Sequence, residues 1–234
     1  MIPVISFIGS SGSGKTTYLE KVVTELENRG MKVAVIKHVP HGDIDFDING
    51  KDSQRYSSAG AVVSIVSGPQ EIGFIKKTDH DLSPDEITKL IEPDVDVILT
   101  EGFKHANTLK IEVHRKSNEQ ELLANPDELL AVITDEPLDV HVPQFDIMGN
   151  NIIEMADLIE KWLSNQPKNK FRLLINKEII DLDPFVEDII TKTVESMLYS
   201  LKGIDAINSF QISLSSSPVR KSTKALQGEY SNRC

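Results

Sequence analysis

Over the first 165 residues, short apolar runs alternate with stretches that are apolar on one face only. Val4-Ile5-Ser6-Phe7-Ile8, Val33-Ala34-Val35-Ile36, Val97-Ile98-Leu99 and Leu129-Leu130-Ala131-Val132-Ile133 are of strand length and almost continuously apolar. Such runs suit strands covered on both faces, as in a parallel sheet. Between them, Leu19, Val22, Val23 and Leu26 recur at helical spacing over 17–29, and Gly30 follows as a C-terminal cap. Ser83-Pro84-Asp85-Glu86 opens another helix through Ile87, Leu90 and Ile91, and Asn151 to Leu163 forms an amphipathic one. The pattern predicts an α/β body: a mostly parallel sheet flanked by helices.

Other segments depart from it. Leu109-Lys110-Ile111-Glu112-Val113 alternates, which predicts a strand with one wet face, and Glu119 to Asn125 reads as a short helix. Ala61 to Val66 and Ile72 to Ile75 flank Ser67-Gly68-Pro69, a hairpin inserted into the parallel pattern whose edge is open to a second subunit. After the polar linker 164–170, Phe171 to Ile175 and Glu178 to Leu182 form a second hairpin around Asn176-Lys177. Pro184 to Leu201 is then helical and Ile207 to Leu214 a last strand. The expected organisation is a body over 1–165, a small α+β (ββαβ) module over 171–214, and a polar, basic tail over 215–234, expected to be disordered.

Composition narrows the setting. The net charge of −11 divides into −13 over 1–165 and +2 over 166–234, and an acidic body argues against general nucleic-acid binding. No apolar run approaches the ~20 residues that span a bilayer, so no membrane association is expected. The chain enters a strand at once, leaving no room for a secretory leader, and its one cysteine, Cys234, is the last residue. Both features point to the cytoplasm.

Gly9-Ser10-Ser11-Gly12-Ser13-Gly14-Lys15-Thr16 has the form G-x-x-x-x-G-K-[ST] between a strand and a helix, the context in which it forms a phosphate-binding loop. Phosphate oxygens are reached by main-chain N–H groups from several directions, and Gly9, Gly12 and Gly14 let the backbone come close. The helix N-terminus behind the loop favours an anion. Lys15 reaches the terminal phosphates and the Thr16 hydroxyl is a Mg²⁺ ligand. Ser11, Ser13 and Thr17 belong to the same loop and first helical turn.

Three further places bear on this site. The loop 39–52 is long, contains glycine, and carries Asp43, Asp45, Asp47 and Asp52. It suits either a switch-like segment near the γ-phosphate or an acidic solvated loop. Glu101 ends an apolar strand and is the leading carboxylate for Mg²⁺, ahead of Asp96 at the strand's start. Asp135 follows another strand, where it either accepts hydrogen bonds from guanine or forms a turn before Pro137; the N-K-x-D form of guanine-reading loops is absent. The histidines are scattered, with no H-x₃-H pair.

Several stretches together resemble the MobB family of molybdopterin-guanine dinucleotide biosynthesis adapters. They are the loop 9–16, Val35-Ile36-Lys37-His38, Asp45-Phe46-Asp47 through Gly50-Lys51-Asp52-Ser53-Gln54-Arg55, Ala59-Gly60-Ala61, and Leu99-Thr100-Glu101-Gly102-Phe103-Lys104. Thr134-Asp135 and Phe145-Asp146 also fit, and the resemblance covers roughly residues 1–165. It implies a P-loop NTPase body, GTP with Mg²⁺, weak hydrolysis, homodimerisation through the inserted hairpin, and work beside MobA, the transferase that joins GMP to molybdopterin. It implies that Thr16, Glu101 and Asp45 attend the metal, with Lys15, Asp45 and Glu101 nearest the chemistry. Lys51, Asp52 and Arg55 would line a neighbouring groove, where Lys51 and Arg55 hold the pterin phosphate or stabilise γ-phosphate charge. The enzymatic alternative is a small-molecule kinase on the same fold, which calls for an Arg-rich lid; Arg29, Arg55 and Arg115 are the only arginines in the body. A nucleotide-gated metallochaperone would need a clustered His/Cys site.

Overall fold

The computed structural model describes residues 2–40, 55–56, 58–91, 95–118, 121–166, 173–175, 178–180 and 182–203. The chain divides into two compact units, Met1–Lys170 and Phe171–Cys234. In the first, the strands are β1 (Val4–Ile8), β2 (Val33–Lys37), β3 (Val63–Ser67), β4 (Ile72–Lys76), β5 (Val97–Glu101), β6 (Leu109–Val113), β7 (Leu129–Thr134) and β8 (Gln144–Asp146). The helices are α1 (Lys15–Asn28), α2 (Pro84–Thr88) and α3 (Ile152–Ser164). Six strands form one sheet in the order β2-β5-β1-β6-β7-β8, parallel at every pairing. β3 and β4 pair with each other as a separate antiparallel hairpin, closed by Gly68 N–H to Glu71 O at 2.8 Å.

One face of the sheet, with Ile5, Phe7, Leu99, Ile111, Val113 and Ile133, packs against α1 through Leu19, Val22 and Leu26 and against α3 through Met155, Ala156 and Ile159. Withdrawing each such side chain from water contributes about 1.5–3 kcal/mol, so this layer supplies most of the cohesion of the body. Arg29 fastens the two helices: it donates to Glu25 (2.8 Å), Asp157 (2.7 Å) and Glu160 (2.6 Å). α2 begins with a capping box in which Glu86 accepts from the Ser83 N–H at 2.9 Å while the Ser83 hydroxyl accepts from the Glu86 N–H.

The opposite face corrects one expectation. β6 has no wet face, because Lys110 is 1% and Glu112 2% exposed. The strand lies between β1 and β7, and its charged residues are covered because they have partners. The Lys110 ammonium donates to Ala106 O (3.0 Å) and Thr108 O (3.2 Å) and pairs with Glu128 at 3.0 Å. The Glu112 carboxylate accepts N–H bonds from Leu123 and Ala124 at 2.8–3.0 Å. These bonds also explain why the described residues 121–125 are not helical: two of their N–H groups go to a buried carboxylate instead of to helical carbonyls. Ile8, Ala124, Leu129 and Val132 form a smaller apolar cluster on this face, and Thr100, Ser6 and Thr108 join hydroxyls at 2.9 and 2.7 Å.

Two boundaries also differ. α2 ends at Thr88, and bonds three residues apart, Leu90 N–H to Ile87 O and Ile91 N–H to Thr88 O, carry the turn onward. β8 was too short for its pattern to register as a strand; it forms by pairing with β7.

In the second unit, β9 (Leu173–Ile175) and β10 (Glu178–Ile180) form an antiparallel hairpin, followed by helix α4 (Pro184–Tyr199). Asp183 caps α4, accepting the Phe185 N–H at 2.9 Å. The strand expected at 207–214 and the tail at 215–234 lie outside the described residues. Among the described residues no helix is long and apolar enough to cross a membrane.

Candidate nucleotide site

In open parallel sheets, ligands bind at the carboxyl ends of the strands, where connections leave in opposite directions. Here β1 is flanked by β5 and β6, and its carboxyl end runs straight into the loop 9–16. Gly14 caps α1 in the left-handed region at φ 99°, directing the first N–H groups of the helix toward the loop. The Lys15 ammonium arches back over the loop to Gly9 O (3.0 Å) and Ser10 O (2.6 Å). Burial lowers its pKa, Glu101 opposes that shift, and Lys37 adds to it. Ser13 is 1% exposed and its Oγ has no hydrogen-bond partner, an orphaned donor inside the loop. Ser11, Gly12, Thr16 and Thr17 are exposed along the same rim.

β5 brings Glu101 to this rim. Its register against β1 sets Glu101 opposite Phe7, and against β2 it sets Glu101 opposite Lys37. The Thr16 hydroxyl stands 2.9 Å from both carboxylate oxygens of Glu101, and Lys37 Nζ is 3.7 Å from one of them. Asp96, at the other end of β5, accepts the Lys32 N–H at 2.9 Å and takes no part in this grouping. A hydroxyl and a carboxylate side by side, beside the loop 9–16, form an oxygen donor set of the kind that could hold Mg²⁺. His38, just after β2, donates from Nε2 to the Asp81 carboxylate (2.8 Å) and stacks on Phe103 with centroids 4.2 Å apart. Among the described residues no group of three or more His, Cys, Asp or Glu is placed to hold a metal ion.

On the other flank of the loop a cleft of about 180 Å³ opens between α1 and the ends of β6 and β8. Thr17, Tyr18 and Lys21 line it from α1, with Arg115, Ile147 and Met148 opposite. Arg115 Nε donates to Ser13 O at 2.9 Å, and its Nη1 lies 3.7 Å from Asp135 Oδ2. Asp135 Oδ1 accepts the Lys116 N–H at 2.8 Å. Lys21 Nζ donates to Met148 O at 2.7 Å.

The structure thus brings Gly9, Ser11, Gly12, Ser13, Gly14, Lys15, Thr16, Thr17 and Glu101 to one rim, with Asp135 on the flank beside Arg115. Arg55 is exposed in a short helical segment. Asp45, Lys51 and Asp52 lie outside the described residues. Sequence reasoning missed Tyr18, Lys21, Arg115, Ile147 and Met148, which come from three separated segments and carry no motif. The only signal for Lys21 was its place one turn beyond Thr17 on the same helix.

Residues 4–135 match the family model MobB, molybdopterin guanine dinucleotide synthesis protein B. The chain is 37% identical over 163 residues to the molybdopterin-guanine dinucleotide biosynthesis adapter protein of Haemophilus influenzae, covering 69% of this chain and 90% of that one. A relative from Methanocaldococcus jannaschii, 27% identical over 241 residues, covers 93% of this chain and 99% of its own, an overlap that reaches into the second unit. The crystal structure of molybdopterin-guanine biosynthesis protein B superposes with a TM-score of 0.56 at 28% identity, covering 69% of this chain and 99% of that one. With the loop 9–16, Glu101 and the parallel sheet in these positions, the chain belongs to the MobB family of molybdopterin-guanine dinucleotide biosynthesis adapters.

Proposed function

We propose that the protein binds GTP with Mg²⁺ in the loop 9–16 and stages it in the cytoplasm for a MobA-type guanylyltransferase, as an adapter in the synthesis of molybdopterin guanine dinucleotide. The observation that carries the nucleotide reading is the Thr16–Glu101 pair at 2.9 Å, set at the end of α1 where Lys15 folds over the loop. Thr16 and Glu101, together with Asp45, would hold the metal ion, which when bound offsets the charge of the phosphate oxygens. Lys15, the orphaned Ser13 hydroxyl and the N–H groups of the loop hold the phosphates. Lys51 and Arg55 supply cations for a second anionic group, the molybdopterin phosphate or the γ-phosphate. Rapid hydrolysis needs a cation at the developing charge. Arg29 is bound instead to Glu25, Asp157 and Glu160, and Arg115 to Ser13 and Asp135. With these two arginines engaged and Lys51 and Arg55 left to the second anionic group, the site holds the nucleotide with weak hydrolysis at most.

The test is nucleotide binding with Mg²⁺, followed by turnover with and without a molybdopterin-loaded transferase. GTP is expected to bind, hydrolysis alone to be slow, and dinucleotide formation by the transferase to rise when the protein is added. Rapid phosphate transfer to a small acceptor without the transferase would instead identify a kinase.

The inserted hairpin supports a homodimer. Ile65 (60% exposed), Ile72 (67%) and Phe74 (49%) leave one apolar face of β3 and β4 open, and a second copy would cover it. Phe74→Asp is expected to convert a dimer to a monomer in sedimentation velocity. A dimer that persists in this variant and after removal of residues 67–75 refutes the assignment.

A further inference from the structure

The cleft beside α1 has a chemistry of its own. At about 180 Å³ it is more than ten times the ~10–15 Å³ that a single water requires. It adjoins Gly14 and Thr17, so a nucleotide whose phosphates lie in the loop has its base within reach of it.

Its charged groups are of one sign. The turn after β8 uses its own donors: Ile147 N–H goes to Thr134 O, Met148 N–H to Asp146 Oδ1 and Gly149 N–H to Asp146 O. The Met148 carbonyl receives Lys21. An ammonium carries three donors, and one is accounted for by Met148 O. Tyr18 is 2% exposed, and its phenol oxygen has no hydrogen-bond partner. Burial, with Asp146 and Glu154 nearby, raises its pKa, so the phenol stays protonated and can donate. The two charged side chains that line the cleft, Lys21 and Arg115, are therefore donors only. A 6-oxopurine offers acceptors at O6 and N7, whereas adenine places an amino group at position 6. The opposite wall is a guanidinium held from both sides, by Ser13 O at 2.9 Å and by Asp135 at 3.7 Å. A planar guanidinium fixed in this way is a surface on which a base stacks.

We propose that this cleft is the base-recognition half of the nucleotide site and selects 6-oxopurines: Arg115 stacks on the ring, Lys21 donates to the 6-keto oxygen, and Asp135 is a positioning residue that holds Arg115. This deepens the reading of the loop as a GTP site and rests on it. It differs from recognition by an aspartate that accepts from guanine N1 and the 2-amino group, because here the 2-amino group is not needed and the Asp135 carboxylate acts through Arg115 and the Lys116 N–H.

The test is calorimetric titration of the full chain with the Mg²⁺ complexes of GTP, ITP, ATP and inorganic tripolyphosphate. ITP lacks the 2-amino group but keeps the 6-keto oxygen. GTP and ITP are expected to bind within about 3-fold of each other and ATP about 10-fold more weakly, the scale of one hydrogen bond to a charged donor. Lys21→Gln should erase the preference over ATP while leaving tripolyphosphate binding intact, and Lys21→Arg should retain part of the preference. Arg115→Lys should weaken all three nucleotides alike, since stacking is tolerant of the base. Asp135→Asn should follow Arg115→Lys in kind, with no new preference for XTP. ITP binding far weaker than GTP, a preference that survives Lys21→Gln, or a switch to XTP in Asp135→Asn overturns the proposal. If tripolyphosphate does not bind the unmodified chain, the phosphate-site reading fails and this one with it. If tripolyphosphate binds but base selectivity ignores Lys21, only this one fails.

Discussion

Lys15→Ala is expected to weaken binding of Mg²⁺-GTP by about 100-fold or more, measured by calorimetry, with the fold intact. The ammonium already spans the mouth of the loop, at 3.0 Å from Gly9 O and 2.6 Å from Ser10 O. A bound triphosphate replaces carbonyl partners by charged ones, and each charge-assisted hydrogen bond is worth about 1.5–3 kcal/mol. Two such bonds lost give a factor of roughly 100 or more. The partly buried setting strengthens the effect, since solvent screens the interaction less than on an open surface. The same substitution should leave the unfolding midpoint nearly unchanged, because no apolar contact is removed from the core. GTP affinity within a few-fold of the parent would show that the loop does not bind phosphate as described.

Gly9→Ala should have its largest effect on stability, lowering it by about 3 kcal/mol or more. Gly9 has φ 146°, a conformation L side chains rarely adopt, and an added Cβ would collide with the backbone oxygen of Val113 and stand 3.0 Å from Ser13 Oγ. Val113 is the last residue of β6, hydrogen-bonded within the sheet, so it cannot yield as the end of a flexible side chain would. Strained backbone costs about 1–3 kcal/mol and overpacking a similar amount. Either the loop opens away from β6 or the strand shifts. Urea unfolding followed by fluorescence of Trp162, the single tryptophan, reads this directly, because Trp162 packs against the main core of the body. An unchanged midpoint would mean that the loop accommodates a side chain at this position.

The two residues show how differently parts of the site can be read from sequence. Lys15 was legible because its motif is contiguous: strand, turn, lysine, hydroxyl and helix follow one another, and local geometry alone dictates the outcome. Glu101 was legible for a related reason, since a carboxylate ending an apolar strand must emerge at the sheet's rim. Thr16 was expected beside it on the same motif, and the 2.9 Å distance between the two follows from β5 pairing with β1. The inserted hairpin was visible from its turn and its flanking apolar runs.

β6 misled because alternation in sequence signals a solvated face only when nothing covers that face. Lys110 and Glu112 are polar yet buried, supported by Glu128 and by the Leu123 and Ala124 N–H groups, none of which can be matched to them by spacing. The helix expected at 119–125 failed through the same contacts. Arg115, similarly, is one of several cations along the chain until the fold places its guanidinium against Ser13 and Asp135.

By itself, the sequence determined the alternating elements of the body, the glycine-rich turn from β1 into α1 and the strand that ends in Glu101, because each depends on backbone preference and apolar periodicity within a few residues. Only the tertiary structure decided which charges are buried and what lies beside the loop. The cleft formed by Lys21, Tyr18, Arg115 and Met148 joins α1 to the ends of β6 and β8. Those side chains meet there only after the parallel sheet has brought the strand ends to the same edge as Gly9 to Thr16.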